Sequence, residues 1–101
     1  MVFVKDSRNR LLWANRSFCE FYAKSLSDLR EFTEPDAENA ARYLAEDERV
    51  IHGGQTLDIP EEPALRHDGR TRWFHTVKTP IVDGTGRPAM IVAVSRDVTD
   101  L

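Results

Sequence analysis

Hydrophobic positions along this chain follow two periods. Over residues 71–79 and 89–95 the pattern is that of strands: Trp73, His75 and Val77 share one parity, Phe74 and Thr76 the other, and 89–95 is a continuous apolar run. Asp83-Gly84-Thr85-Gly86 between them supplies the backbone freedom of a hairpin turn. The stretch from Gly69 to Leu101 therefore reads as the platform onto which the rest packs. Met90, Val92 and Val94 point to one face of it, and Ala89, Ile91 and Ala93 to the other. Both faces are apolar, so each calls for a cover: helices on one, a flanking helix or second subunit on the other.

Upstream, Val2–Lys5 and Leu11–Ala14 read as two short strands, with Asn9 the residue in the loop best able to take a left-handed conformation. Asn15 is a helix N-cap for residues 16–23, where Phe18 and Tyr22 lie one turn apart. Ser25 and Asp28 start a short helical segment that fades by Phe32. Residues 35–52 give the strongest helical signal, with Pro35 in the first turn and Gly53-Gly54 as the stop. Ala37, Ala40, Ala41, Leu44 and Ile51 form its apolar stripe, and Glu38, Arg42, Glu46 and Arg49 an exposed opposite face. Asp47 falls on the apolar stripe, where a carboxylate needs a partner or an opening to water. Residues 56–66 carry two prolines, as an edge strand would, and His67-Asp68-Gly69 turns into the main hairpin. The order predicts an α+β fold, a five-stranded antiparallel sheet with helices on one face.

Composition narrows the function classes. The 101 residues suffice for one domain, 1–101, and both ends read as cuts from a longer multidomain protein. A net charge of −3 with scattered Lys and Arg gives no footprint for nucleic acid. No apolar run reaches the ~18–20 residues of a membrane span, so a cytoplasmic segment without membrane insertion is expected. The single Cys19 permits no internal disulfide and is too few for thiolate metal ligation. His52, His67 and His75 are not spaced as a zinc site, and no phosphate loop or nucleophile elbow is present. Glu61 and Glu62 are adjacent and so point to opposite sides of a strand, which argues against a catalytic pair. Neither catalysis nor a metal is expected.

In order and spacing, VFVKD, LLWANRSFCEFY, DERVIHGG, EEPALRHDGRTRWFHTVKTPI, DGTGRP and AMIVAVSRDVTDL together resemble a PAS sensory domain. The resemblance covers essentially the whole chain. It implies a five-stranded sheet wrapped by helices around a small pocket, in a sensing or dimerising module of a signalling protein such as a histidine kinase or cyclic-dinucleotide enzyme. Asp97-Val98-Thr99 looks like the family's closing signature, which leads into a linker and a covalently joined output domain. Asn9 stands where the family often has glycine. The family's frequent helix before the first strand has no counterpart in these residues. Pairing is expected through the sheet face or through such flanking helices.

Tyr22, Tyr43, Leu44, Asp47, His75 and Val77 are the pocket candidates, mixing apolar walls with polar heads. Asp97 and Thr99 are the candidate signal outlet, with Arg72 or Arg96 as a charge partner. Trp73 is a core or interface anchor. No cofactor is named. Haem-binding relatives use a histidine on the long helix, whereas His52 ends that helix; flavin photochemistry uses an Asn-Cys-Arg setting, whereas Cys19 sits in Ser-Phe-Cys-Glu. A haem-based redox or gas sensor is the alternative within binding proteins, and a small α+β enzyme the alternative from another class.

Overall fold

The computed structural model describes residues 1–101. Five strands, β1 (Val2–Asp6), β2 (Leu11–Ala14), β3 (Leu57–Leu65), β4 (Thr71–Val82) and β5 (Pro88–Asp97), form one sheet in the order β2-β1-β5-β4-β3. Every neighbouring pair is antiparallel, and β4–β5 is the longest pairing, from Phe74↔Asp97 to Val82↔Pro88. Helices α1 (Arg16–Tyr22) and α2 (Ala37–Gly53), with a 3₁₀ turn at Leu26–Glu31 between them, connect β2 to β3 across the sheet.

Local chemistry sets the boundaries. Asn15 Oδ1 accepts from Phe18 N at 3.2 Å and from Val2 N at 3.0 Å, so one side chain caps α1 and ties it to β1. Asn9 adopts φ 63°, closing the first hairpin as its side chain allows. Ser25 and Asp28 form a reciprocal capping box on the 3₁₀ turn. The long helix starts later than its pattern suggests: Asp36 caps it through Asn39 N at 2.8 Å, and Pro35 lies outside rather than in the first turn. Pro60 sits where the β3–β4 register shifts, on an edge strand that can spare the amide.

The apolar core is small and aromatic. Leu11, Ala14, Phe18 and Leu29 form one cluster, and Phe21, Ala64 and Phe74 a second. Phe18 meets Phe3, Tyr22 and Phe32 at ring-centroid distances of 5.1, 4.7 and 5.4 Å, favourable aromatic separations. Beneath α2 the interior changes character. The residues this helix buries are Asn39, Glu46, Asp47 and Val50, while Leu44, expected on its apolar stripe, is 40% exposed. Glu46, expected on the solvent side, is buried. The cause lies across the sheet: Lys78, on the inward parity of β4, stands under α2 and draws its acidic side chains inward.

A candidate ligand cavity and a terminal latch

Inward-facing positions of the sheet alternate with outward ones, so Phe3 and Lys5 of β1, Glu62 and Ala64 of β3, Phe74, Thr76 and Lys78 of β4, and Ser95 of β5 share a floor. Phe18 and Tyr22 of α1, Phe32 and Glu34 of the connection, and Ala40 and Tyr43 of α2 close over it. Together they bound a cavity of about 310 Å³. That lies at the small end of ligand pockets. One wall is aromatic and the other polar.

Charge is concentrated in the polar wall. Asp47 accepts from Lys5 Nζ through Oδ2 and from Lys78 Nζ through Oδ1, both at 2.8 Å. Lys78 also lies 3.0 Å from Glu46 Oε1, as an ion pair without hydrogen-bond alignment. Its ammonium is 5.5 Å from the Tyr43 ring centroid. Burial would lower the Lys78 pKa, but Asp47 and Glu46 outweigh it and hold the group above its ordinary value. Glu62 is different. Its Oε2 is buried with no hydrogen-bond partner. Burial, then the neighbouring Glu46 carboxyl, pushes its pKa from the ordinary 4.5 up to about 8, against the pull of Lys78 and Thr76. Burial likewise raises Glu34, and with nearby carboxylates it raises Tyr22 and Tyr43.

The six pocket candidates divide by position. Tyr22 and Tyr43 line the cavity, Tyr43 with its hydroxyl donated to Pro63 O at 2.6 Å. Asp47 lies just behind the lining and anchors both lysines. Leu44 faces solvent. His75 and Val77 belong to the opposite face of β4, the parity of Trp73, and do not reach the cavity; His75 instead contacts Asp58 at 2.7 Å. Glu62, Lys78 and Glu34 were missed. The period-two pattern that places Phe74 and Thr76 inward also places Lys78 there, and with the misfit Asp47 it could have revealed the pair.

At the far end of the hairpin, Arg72 Nε donates to Asp97 Oδ2 at 2.8 Å, and Asp97 Oδ1 accepts from Thr99 N at 2.9 Å. Trp73 N donates to Thr99 Oγ1, and Val98 N to Trp73 O. Arg72 and Thr99 hold the Asp97 pKa below its ordinary value, although burial works the other way. Asp97 and Thr99 thus latch the end of β5 to the start of β4, and of the two arginines considered it is Arg72 that pairs.

Trp73 is not a core residue. At 41% exposure it lies on the outer sheet face, beyond which Val2, Val94 and Val77 are in register, with Val4 and Val92 beside them. Val94 is 50% exposed and Trp13 44%. His52 is exposed at the end of α2, and Cys19 packs beside the Leu11 cluster; neither is among the residues that line the cavity.

A family model described as PAS fold matches residues 1–101. The chain belongs to the PAS fold family. PAS domains are sensory modules of signal-transduction proteins, and this one has a histidine kinase among its relatives. The methanogenesis regulatory histidine kinase FilI of Methanothrix harundinacea is 29% identical over 99% of this chain, which spans 11% of that protein. Among solved structures, the Vibrio cholerae VqmA dimer, described in the absence of its target DNA, superposes with a TM-score of 0.84 at 24% identity, covering 98% of this chain and 46% of that one. The PAS domain of a Colwellia psychrerythraea protein superposes at 0.79 with 14% identity, covering 99% of this chain and 86% of that one. These likenesses place the PAS fold over the whole length. No helix here is long and apolar enough to cross a membrane.

Proposed function

We propose that this PAS domain is the non-catalytic, cytoplasmic input module of a longer signalling protein, that a small molecule in the cavity is its signal, and that Asp97 and Thr99 are its outlet. The cavity of about 310 Å³ between helices and sheet is the observation that carries this reading. Its floor runs directly into the latch. Thr76 and Ser95, whose hydroxyls are 2.8 Å apart across β4–β5, line the cavity, and Ser95 stands two residues before Asp97. A ligand that spreads or draws in these strands would shift the residues that lead onward. The relation to a histidine kinase, of which the chain spans 11%, supports a covalently joined output domain.

The test is made in the full-length protein. Ala64→Met, which fills the cavity, is expected to abolish the response to the stimulus. Asp97→Ala is expected to leave melting within a few degrees, since an exposed ion pair is worth about 0–1 kcal/mol, yet to uncouple output from input. A normal response in both variants overturns the reading.

The outer sheet face favours a second role, pairing of two copies. Its valine rows and the exposed Trp13 and Trp73 form an apolar surface of the kind that self-associates. Light scattering is expected to give twice the 11.6 kDa chain mass. A strict monomer at high concentration contradicts it.

A further inference from the structure

The buried side-chain polar atoms left without a hydrogen-bond partner beside the cavity are both carboxylate oxygens. Many of the cavity's donors are engaged: Lys78 with Asp47, Lys5 with Asp47 and Asn9, the Tyr43 hydroxyl with Pro63 O, and one of the Thr76 and Ser95 hydroxyls with the other. Two acceptors remain without a hydrogen bond: Glu46 Oε1, 3.0 Å from Lys78 but not aligned with it, and Oε2 of Glu62, a residue 5% exposed. The charges lead to the same place. The two ammonium groups of Lys5 and Lys78 are matched by Asp47 and Glu46, and Glu62 is a carboxyl beyond the match. Glu34 adds a further half-buried carboxyl at the cavity wall. The lining also holds the aromatic rings of Phe18, Tyr22 and Phe32, and ring quadrupoles attract cations.

Resting on the reading of the cavity as a ligand site, we propose that its occupant is a small organic cation, an ammonium or amidinium carried on a flat apolar body, with its charge against Glu62. An anion would be set against this excess of carboxyls. A neutral ligand would leave that excess uncompensated. A cation supplies both the donor that Oε2 lacks and the positive charge the cluster lacks. Binding releases a proton: the Glu62 carboxyl loses its hydrogen to water as the carboxylate pairs with the cation. The groups facing this site are Tyr43, Glu46 and Asp47 from α2, Lys78 and Thr76 from β4, Lys5 from β1, Tyr22 from α1 and Glu34 from the connection. Because Glu62 in the empty site is raised to about 8, affinity for a permanently charged ligand should weaken below that pH, approaching about tenfold per pH unit.

The test is calorimetric titration of the chain with benzamidine, benzamide and benzoate, three probes of one size that are cationic, neutral and anionic. At about pH 8 benzamidine is expected to bind at least about tenfold more tightly than the other two. At about pH 7, buffers of different ionisation enthalpy should report the release of about one proton per bound benzamidine. Glu62→Gln is expected to remove both the preference and the proton release while leaving benzamide within about twofold. The wild-type pH profile decides the matter even if that variant does not fold. A profile led by benzamide or benzoate, benzamidine binding without proton release, or no binding by any probe overturns the cation class. The ligand-site reading itself is decided separately by the Ala64→Met response, so the two failures are distinguishable.

Discussion

Lys78→Ala is expected to lower the free energy of unfolding by about 3–5 kcal/mol, the cost of removing one partner from a buried ion pair. Its side chain is 2% exposed, and its ammonium is the group that both Asp47 and Glu46 turn inward to meet. Without it, Asp47 keeps only Lys5, and Glu46 is left against Glu62 with no cation between them. Small domains have roughly 5–15 kcal/mol in all, so the variant should be marginal at room temperature. Lys78→Met restores the apolar stem but not the charge, and should recover only the packing share. Urea unfolding checks this through the midpoint: a loss below about 1 kcal/mol would mean that the cluster does not organise the interior beneath α2.

Stability is expected to fall as the pH rises from about 5 to 9, with Glu62 as the cause. Its folded pKa, raised to about 8, lies above the ordinary 4.5. Between those values the folded state holds a proton that the unfolded chain has lost, so the free energy of unfolding declines with pH across that window and levels off above it. Each pKa unit corresponds to about 1.4 kcal/mol, so the full separation sets a ceiling of about 5 kcal/mol. Partial solvation of the carboxyl screens this to a decline on the order of 2–4 kcal/mol, or roughly 10 °C or more in melting temperature. Asp6 and Asp97 act with opposite sign. Both are held below the ordinary 3.8, chiefly by arginine partners and hydrogen bonds that outweigh burial, so their contribution is present above that value and lost only in more acidic solution. Lys78, raised above 10.5, loses its contribution only at still higher pH. Glu62→Gln, which mimics the protonated carboxyl, should match the wild type at about pH 5 and melt higher at about pH 9.

The elements most legible in the sequence were those whose signals are local. The Asn15 cap, the left-handed Asn9, the two-proline edge strand and the Gly-rich hairpin all act within a few residues, and the resemblance supplied the topology. The interior of α2 was less legible because periodicity arguments assume that the buried face is the apolar one. Here Asn39, Tyr43, Glu46, Asp47 and Val50 recur at helical spacing on the inward side. A lysine on a distant strand makes that face stable, and no window of local sequence contains both. The misplacement of His75 and Val77 has a similar origin. Alternation separates the two faces of β4, but only tertiary packing decides which of them the helices cover. Trp73, the largest side chain on the strand, suggested the wrong one. Asp97 and Thr99 were found from a terminal motif, and Arg72, which pairs with Asp97, stands on β4 two residues before Phe74, the register partner of Asp97.

The charge imbalance at the cavity is the physical basis of the account, and Glu62 carries it. Carbon-detected NMR titration of the Glu62 side-chain carboxyl in the folded chain measures it directly. A midpoint near 8 is expected, with Lys78 charged throughout. A midpoint near the ordinary 4.5 would show that Glu62 is solvated or paired, and would contradict the cavity as described.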